Sequence, residues 1–261
     1  MNPVDKVTEA TETPVAVIIL AAGLGTRMKS DRAKVLHEID GRPMIRYVVE
    51  TAQALNTKET IVVVGHQRSR VKAALSDFPR LKFAPQNEQL GTGHAVQCAL
   101  PEVIETIDHV VVLCGDVPLL KASTVARLMH DHYHSGCVVT ILAMNVENPT
   151  GYGRIVVDSN GDVDRIVEEA DADDQQKKIQ TINAGIYCIE KKFLNSAINS
   201  LSTNNAQNEF YLTDIVAIAR AHSCRAGIVM GDDPIEVIGV NTLAELKTVD
   251  GVMQSRKSKI S

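Results

Sequence analysis

Short apolar runs alternate with amphipathic stretches along the first half of the chain. Runs rich in β-branched residues are typical of buried strands in a parallel sheet, and they predict strands at 15–20, 60–64, 81–84 and 109–114. Apolar positions with helical spacing predict helices at 44–55, 68–75, 92–107 and 123–134, with Pro43 and Ser123 at two of the starts. This alternation indicates a Rossmann-like α/β fold, with a mixed, mostly parallel sheet and helices on both faces.

The second half has a different pattern, in which strands follow one another more closely. Strands are predicted at 137–144, 182–189 and 226–230, and the Asn160-Gly161 turn predicts a hairpin of 153–158 with 162–168. Helices are predicted at 192–200, at 212–222 and from 242 onward. We therefore expect a single domain over 14–250, made of the halves 14–135 and 136–250, with flexible segments at 1–13 and 251–261.

Composition narrows the classes of ligand. The 261-residue chain has a net charge of −5, no long basic cluster, 3% aromatic residues and no Trp, which argues against nucleic-acid binding. It has neither an apolar run long enough to cross a membrane nor a secretory signal at its start. Five cysteines without a CxxC pair indicate a reduced, cytoplasmic setting. Small-molecule partners are therefore expected, and the oligomeric state stays open.

The most informative segment is the glycine-rich loop that follows the first predicted strand. It reads Leu20-Ala-Ala-Gly-Leu-Gly-Thr-Arg-Met28, with Lys34 six residues further on. Small residues let backbone N–H groups approach an anion, and Arg27 and Lys34 add the positive charge that phosphoryl or nucleotidyl transfer requires. The alternative is a glycine-rich turn with exposed cations. A dinucleotide fingerprint and a P-loop are both excluded, since Met28 replaces the third glycine and no Gly-Lys pair occurs.

Polar residues at two other turns fit the same chemistry. Asp116 follows Gly115 at the end of the 109–114 strand, and Asn241 precedes the last predicted helix. Both could supply oxygen atoms to Mg²⁺, which takes one or two protein ligands together with phosphates and water. The alternatives are a turn aspartate and a helix N-cap asparagine.

The loop from Gln86 to Ala95 offers side-chain amides that could read a base, and Gly91 and Thr92 open a helix there. The alternative is a polar loop with a Gly-Thr cap. His130, His132 and His134 lie near a helix end. We interpret them as a solvated helix terminus rather than as metal ligands.

Specific segments extend over almost the whole chain, from about residue 15 to 246. They are Leu20-Ala-Ala-Gly-x-Gly-Thr-Arg-Met28, Lys34-Val-Leu-His37, Gln89-Leu-Gly-Thr-Gly-His-Ala95, Gly115-Asp-Val-Pro-Leu119, Pro149-Thr-Gly-Tyr-Gly-Arg-Ile155, Ile182-Asn-x-Gly185, Asn204-Asn-Ala-Gln207, Tyr211-x-Thr-Asp214 and Gly239-Val-Asn241. In this order they resemble the sugar nucleotidyltransferase family. The resemblance is closest to the bacterial uridyltransferase (pyrophosphorylase) domains that act on N-acetylglucosamine 1-phosphate.

The resemblance implies a nucleotide-diphospho-sugar transferase fold with a nucleotide-binding half at 14–135 and a sugar-binding half at 136–250. Arg27 and Lys34 would face a triphosphate, and Asp116 and Asn241 would bind Mg²⁺, so Arg27, Lys34 and Asp116 are the expected catalytic residues. The nucleotide would contact Leu20, Ala21, Ala22, Gly23, Gln86, Gly91 and Thr92. The amino sugar would contact Gly115, Gly153, Glu168 and Asn183, with Thr92 also at the edge of its pocket.

The implied reaction joins UTP and N-acetylglucosamine 1-phosphate into UDP-N-acetylglucosamine and pyrophosphate, in cytoplasmic cell-wall precursor synthesis. The alternatives are another sugar 1-phosphate or nucleotide, and a sugar-nucleotide-binding module without turnover. Two residues depart from the family pattern: Leu24 stands where Lys is usual, and Cys114 where Tyr is common. No hexapeptide repeats occur, so we expect no acetyltransferase domain.

Overall fold

The buried apolar runs form a central sheet in the computed structural model, which describes residues 14–258. The strands are β1 (Val15–Ala21), β2 (Glu38–Ile39), β3 (Arg42–Pro43), β4 (Glu59–Val64), β5 (Leu81–Pro85), β6 (His109–Cys114), β7 (Val139–Asn145), β8 (Gly153–Val157), β9 (Val163–Val167), β10 (Thr181–Glu190) and β11 (Ala226–Met230). The helices are α1 (Met44–Ala54), α2 (Arg68–Ala74), α3 (Thr92–Ala99), α4 (Ala122–Ser135), α5 (Lys191–Ala197), α6 (Ile215–Ala221) and α7 (Leu243–Ser258).

The strand order across the main sheet is β11-β7-β10-β6-β1-β4-β5. Strand β1 pairs in parallel with β4 and β6, and β4 pairs in parallel with β5. Strand β10 is antiparallel to β6 and β7, and the β8–β9 hairpin extends from it. The predicted fold class, a mixed and mostly parallel sheet, is confirmed. Because β1, β4, β5 and β6 are parallel, the loops that follow them meet at one edge of the sheet.

Helices cover both faces of this sheet, and alternate residues of each central strand enter different cores. Along β1, Val17 and Ile19 pack with one cluster while Ala16 and Ile18 pack with the other. The first cluster also takes side chains from α1 and α4, and the second takes them from α3, α5 and α6. A strand buried on both faces reads as a continuous apolar run, which is why β1 was recognisable in the sequence.

Several element boundaries differ from the prediction. Helix α3 ends at Ala99 instead of continuing to 107, and a 3₁₀ turn that contains Pro101 follows it, because proline cannot donate the next helical hydrogen bond. Helix α4 begins at Ala122 without a side-chain cap, so Ser123 is not its N-cap. Helix α7 extends to Ser258, so residues 251–258 of the segment predicted to be a flexible tail are helical. The predicted flexible segment 1–13 lies outside the described residues.

The histidines of α4 divide between two environments. His130 and His134 are on the solvent side, as expected, but His132 is buried and hydrogen-bonded through Nδ1 to Thr140 Oγ1 at 2.8 Å. Its Nε2 contacts Nδ1 of His109 at 3.1 Å. Burial and the neighbouring His109 lower the pKa of His132 to about 4. The interpretation of all three as a solvated helix end is therefore wrong for His132, which is a core residue.

Candidate active site

The glycine-rich loop leaves β1 at the carboxyl edge of the sheet. Gly25 adopts φ 65°, and a Cβ at this position would lie 2.6 Å from Cβ of Lys34. Glycine is therefore required here both for the left-handed backbone and for the close approach of Lys34. Gly23 and Arg27 are exposed on the same loop, while Leu20, Ala21 and Ala22 lie in β1 or directly after it.

Four predicted residues from four segments meet at this edge. Lys34 Nζ donates to the carboxylate of Asp116 in an ion pair and to Oδ1 of Asn241 at 3.0 Å. Arg27 Nη2 donates to the same Asn241 oxygen, also at 3.0 Å. The side chains of Lys34 and Asp116 are 16% and 18% exposed, so the pair is accessible without being fully solvated. We call Arg27, Lys34, Asp116 and Asn241 the charged cluster.

Asn241 is available to the charged cluster because another residue caps helix α7. Thr242 Oγ1 accepts a hydrogen bond from the Glu245 N–H at 3.2 Å, and Glu245 Oε2 accepts from the Thr242 N–H at 2.8 Å. This reciprocal pair is a capping box. The N-cap alternative for Asn241 is thus wrong, and the Thr-x-x-Glu spacing in the sequence could have shown it.

Backbone contacts hold Asp116 against the glycine-rich loop. The Gly115 N–H donates to the Leu20 carbonyl at 2.9 Å, and a Cβ on Gly115 would lie only 2.9 Å from that oxygen. The Val240 N–H donates to the Asp116 carbonyl, again at 2.9 Å. The turn after β6 is therefore tied to the end of β1 and to the segment before Asn241, which positions both proposed metal ligands.

The donor set fits Mg²⁺. Oxygen atoms of Asp116 and Asn241 converge on one cation, the Lys34 ammonium, which shows that both can face the same positive centre. A carboxylate and an amide oxygen are hard ligands that suit Mg²⁺ when substrate phosphates and water complete its shell. Among residues 14–258 there is no group of three or more His, Cys, Asp or Glu side chains arranged to hold a metal ion.

Gln86 and its loop adjoin the glycine-rich loop. The Gln86 N–H donates to the Val64 carbonyl at 2.9 Å, which joins the ends of β5 and β4. A Cβ on Gly65, the residue after β4, would lie 2.6 Å from the Ala22 carbonyl and 2.7 Å from Gln89 Nε2. The two loops that the sequence assigns to a nucleotide are therefore in direct proximity.

Gly91 and Thr92 join this loop to the second half of the chain. Gly91 has φ 111°, and a Cβ there would lie 2.6 Å from the Phe210 carbonyl. Thr92 is exposed, and its Oγ1 accepts from the Leu212 N–H at 3.0 Å. The start of α3 thus connects the predicted nucleotide-binding and sugar-binding halves.

Glu168 follows β9 and is mostly buried beside Gly153. A Cβ on Gly153 would lie 3.4 Å from Glu168 Oε2, and Thr213 Oγ1 donates to Glu168 Oε1 at 3.1 Å. Desolvation raises the pKa of Glu168, and the hydrogen bond from Thr213 only partly opposes it. The carboxylate therefore lies in a site that favours a hydrogen-bond donor, such as a sugar hydroxyl, beside it.

Asn183 lies opposite Gly153 in the β10–β8 pairing, which brings it close to Glu168 in the sheet. It is 7% exposed, and its Nδ2 donates to the Tyr187 hydroxyl at 2.7 Å. Its Oδ1 accepts from the Gly185 N–H at 2.9 Å. We call Gly153, Glu168 and Asn183 the carboxylate pocket. Both polar atoms of Asn183 already have a partner, so it has a structural function besides any contact with a sugar.

Sequence reasoning missed several supporting residues. Arg154 is fully buried and pairs with Glu169, Nη2 to Oε2 at 2.6 Å, and Glu169 also accepts from the Gly151 N–H at 3.1 Å. Gln67 Oε1 accepts from the Ala33 N–H at 3.2 Å, directly before Lys34. Arg154 lies in one of the segments that carry the family resemblance, residues 149–155. No local signal marks Gln67, because its hydrogen bond with Ala33 joins residues 34 positions apart in the chain.

Cys114, the residue before Gly115, packs beneath the site. Its thiol contacts the Gly185 carbonyl at 3.3 Å, and burial raises its pKa to about 12. It is therefore a neutral packing residue rather than a nucleophile. Two cavities of about 350 and 410 Å³ lie elsewhere, and neither is lined by a predicted site residue.

A comparison with known families identifies the class. The model of the MobA-like NTP transferase domain matches residues 17–180, which includes the glycine-rich loop, Lys34, Asp116 and the carboxylate pocket except Asn183. The chain therefore belongs to this family of nucleotidyltransferases.

Curated relatives refine this assignment. The chain is 46% identical over 241 residues to the bifunctional protein GlmU of Trichlorobacter lovleyi, covering 92% of this chain and 52% of the relative. It is 42% identical over 248 residues to that of Desulfotalea psychrophila, covering 95% of this chain and 73% of the relative. The chain thus spans about half the length of the first of these relatives. Within the family, it is a nucleotidyltransferase of the GlmU type.

Solved structures support the fold alone. A nucleotidyl transferase from Methanothermobacter aligns with a TM-score of 0.65 at 18% identity, over 93% of this chain and 99% of that one. A Bacillus anthracis chain described as a glucose-1-phosphate thymidylyltransferase aligns with a TM-score of 0.73 at 16% identity, over 91% and 94% of the two chains. No helix of the described residues is both long and apolar enough to cross a membrane.

Proposed function

We propose that this chain transfers the uridylyl group of UTP to N-acetylglucosamine 1-phosphate in a Mg²⁺-dependent reaction. The products are UDP-N-acetylglucosamine and pyrophosphate. The observation that carries the proposal is the charged cluster, because it combines two cations and two oxygen ligands at the edge of the sheet where the glycine-rich loop ends. The similarity to GlmU proteins supports the choice of substrates.

The reaction needs charge neutralisation more than acid–base catalysis. The phosphate of the sugar 1-phosphate is an anion near neutral pH, so one of its oxygens can attack the α-phosphorus of UTP without a protein base. A P–O bond forms there as the bond to pyrophosphate breaks on the opposite side. Arg27 and Lys34 would stabilise the negative charge of the triphosphate during this exchange. Mg²⁺ on Asp116 and Asn241 would supply Lewis-acid neutralisation of the same phosphates.

The other predicted residues would bind and orient the two substrates. Small side chains at Ala22 and Gly23 leave the backbone open to the nucleotide, and Gln86 with Gly91 would contact the base. Glu168 would accept hydrogen bonds from sugar hydroxyls. The Thr92–Leu212 hydrogen bond holds the start of α3 against the second half of the chain, where Thr92 would lie between the two substrates.

A substrate grid tests this proposal. Four nucleoside triphosphates are each combined with several sugar 1-phosphates and Mg²⁺, and pyrophosphate release is measured. We expect the highest kcat/KM for UTP with N-acetylglucosamine 1-phosphate. Turnover only with a sugar that lacks the acetamido group would contradict the assigned substrate. Binding of UDP-sugar without pyrophosphate release from any pair would indicate a module without turnover.

A further inference from the structure

The turn between β4 and α2 contacts the glycine-rich loop at both of its ends. Gly65, the first residue of this turn, approaches the outgoing end so closely that a Cβ on it would lie 2.6 Å from the Ala22 carbonyl oxygen. Gln67, the last residue before α2, reaches the returning end at residues 31–33, directly before Lys34. The turn therefore braces the loop that supplies cations to the charged cluster.

The side-chain amide of Gln67 bonds to the backbone of the returning segment through both of its ends. Its Nε2 donates to the Asp31 carbonyl, and its Oε1 accepts from the Ala33 N–H at 3.2 Å and from Arg70 Nη1 at 3.3 Å. A backbone carbonyl can only accept and a backbone N–H can only donate, so these partners fix which end of the amide faces each of them. The amide forms a two-point contact with residues 31–33, which we call the Gln67 clamp.

The local conformation of Gln67 departs from two preferences. Its φ of 53° and ψ of 38° lie in the left-handed region that favours glycine. It stands at the N-cap of α2, where a short polar side chain usually accepts from the helix backbone, but its side chain bonds to residues 31–33 instead. Such a backbone costs stability and is concentrated at functional sites. A glycine here would relieve the backbone and lose the clamp.

The position of Ala33 determines where the side chain of Lys34 begins. Ala33 is 1% exposed and is the N-cap of the short 3₁₀ helix Lys34–Leu36, so the bond to its N–H fixes the direction in which the chain enters that helix. The preceding residues 29–32 are exposed, and Met28 before them is buried. The clamp thus holds the end of an exposed segment, and a shift there would move the Lys34 ammonium within the charged cluster.

We propose that Gln67 is a positioning residue for Lys34, and that through Lys34 it acts on the terminal phosphates of the nucleoside triphosphate. The clamp would hold the ammonium where negative charge develops on the leaving pyrophosphate. Misplacement of a catalytic group by about 1 Å can reduce a rate about 100-fold. Gln67 itself contacts no substrate, and its effect is to preorganise the loop. This inference rests on the proposed function, since it assumes that Lys34 faces the triphosphate.

Three substitutions at this position separate the clamp from the backbone strain. Gln67→Met keeps the side-chain length and the strained backbone but removes every hydrogen bond of the clamp. Gln67→Gly removes the bonds and relieves the strain, and Gln67→Glu keeps the acceptor for the Ala33 N–H. Gln53→Met is the matched control, because Gln53 is exposed on α1 and its side chain donates to a different backbone carbonyl, that of Pro79, at 3.1 Å.

We expect the loss of activity to follow the side chain and not the stability. Gln67→Met and Gln67→Gly should both lower kcat for pyrophosphate release by roughly 10- to 100-fold, although Gln67→Gly should unfold at the higher temperature of the two. Gln67→Glu should have an intermediate kcat, and Gln53→Met should retain full activity. Hydrogen exchange at the Ala33 N–H should be about 5- to 10-fold faster in both variants that lack the clamp.

Nucleotide binding tests the route through Lys34 without turnover. In Gln67→Gly, calorimetry should show that binding of UTP is weaker by about 5- to 10-fold. Binding of UMP should be unchanged, because UMP lacks the terminal phosphates on which Lys34 would act. In a double-mutant cycle, Gln67→Gly should cause little further loss of UTP binding in a Lys34→Ala background.

Several outcomes would overturn the inference. They are an unchanged kcat in folded Gln67→Gly, an Ala33 N–H that exchanges no faster, equal weakening of UTP and UMP, and full additivity with Lys34→Ala. If Gln67→Met does not fold, Gln67→Gly and Gln67→Glu still decide. If no pair of substrates is turned over, the proposed reaction fails, while the exchange rates and the comparison of UTP with UMP still test the clamp. An unmodified protein that binds UTP no better than UMP would contradict the inference as well.

Discussion

The polar side chains of the charged cluster and those of the carboxylate pocket are held by different kinds of partner. In the charged cluster, side chains on loops satisfy one another: Lys34 bonds to Asp116 and Asn241, and Arg27 bonds to Asn241. In the carboxylate pocket, side chains on or next to paired strands are held by the surrounding protein, since Tyr187 and Gly185 engage Asn183 and Thr213 engages Glu168.

This difference predicts different effects of substitution. A substrate polyphosphate and its metal would exchange bonds within the charged cluster without leaving buried groups unpaired, so changes there should reduce activity and spare the fold. In the carboxylate pocket Asn183 supports Tyr187 and Gly185, so its loss should also reduce stability.

Asp116→Ala should have the largest effect on turnover. It removes the only carboxylate that the proposal assigns to Mg²⁺ and leaves Lys34 without its ion-pair partner, so kcat should fall by about 10³-fold or more. The fold should survive, because the Asp116 carbonyl keeps its bond from Val240. Pyrophosphate release at ordinary Mg²⁺ concentration, together with the thermal unfolding midpoint, measures both effects.

The control for this prediction is Asp232→Ala, which removes an exposed carboxylate that pairs with Arg127. It should retain full activity. Turnover close to that of the unmodified protein in Asp116→Ala would contradict the metal assignment.

The same substitution at two asparagines compares the two regions directly. Asn241→Ala should raise the Mg²⁺ concentration needed for half-maximal activity and reduce kcat roughly 10- to 100-fold, with little change in stability. Asn183→Ala should instead lower the free energy of unfolding by about 1–3 kcal/mol, because the Gly185 N–H and the Tyr187 hydroxyl lose a buried partner. Metal titrations and urea unfolding of both variants provide the measurements. Equal stability losses would remove the distinction between the regions.

More residues of the charged cluster than of the carboxylate pocket could be predicted from local sequence patterns. The glycine-rich loop, Gly115-Asp116 and Asn241 each follow or precede a recognisable element, and parallel strands bring such turns to one edge. Glu168 and Asn183 came from resemblance alone, because their neighbourhood depends on the β8–β9–β10 register. The supporting bonds of Thr213 and Gln67 were not predictable, since they join residues 45 and 34 positions apart in the chain. Asn183 and Tyr187 lie four positions apart within β10, but the pairing register of this strand shifts between them, and no local pattern marks that shift.

Two adjacent glutamates give the finest test of how the carboxylate pocket is held. Burial raises the pKa of Glu168. Desolvation also acts on Glu169, but hydrogen bonds from Arg154 and the Gly151 N–H outweigh it and lower its pKa. Ionised Glu168 therefore costs stability near neutral pH, whereas ionised Glu169 contributes to it.

Replacing each glutamate with Gln should consequently have opposite effects on the free energy of unfolding at pH 7. Glu168→Gln should raise the free energy of unfolding. It should also raise KM for the sugar 1-phosphate, because an amide accepts hydroxyl hydrogen bonds less well than a carboxylate does. Glu169→Gln should lower the free energy of unfolding, since buried Arg154 loses its counter-charge.

The pH dependence separates the two mechanisms further. Between the raised pKa of folded Glu168 and the ordinary glutamate value, the folded protein binds more protons than the unfolded chain, so the stability of the unmodified protein rises as pH falls through this window. The advantage of Glu168→Gln should therefore shrink there. Glu169 has the opposite effect on the pH dependence of stability, because its pKa is lowered in the folded protein. The contribution of ionised Glu169 to the free energy of unfolding is lost as pH falls through that pKa. Urea unfolding of the unmodified protein and the two variants from pH 7 to about pH 3 measures both slopes. Parallel slopes would show that Glu168 is solvated like a surface carboxylate, and the carboxylate pocket would then be held no differently from the charged cluster.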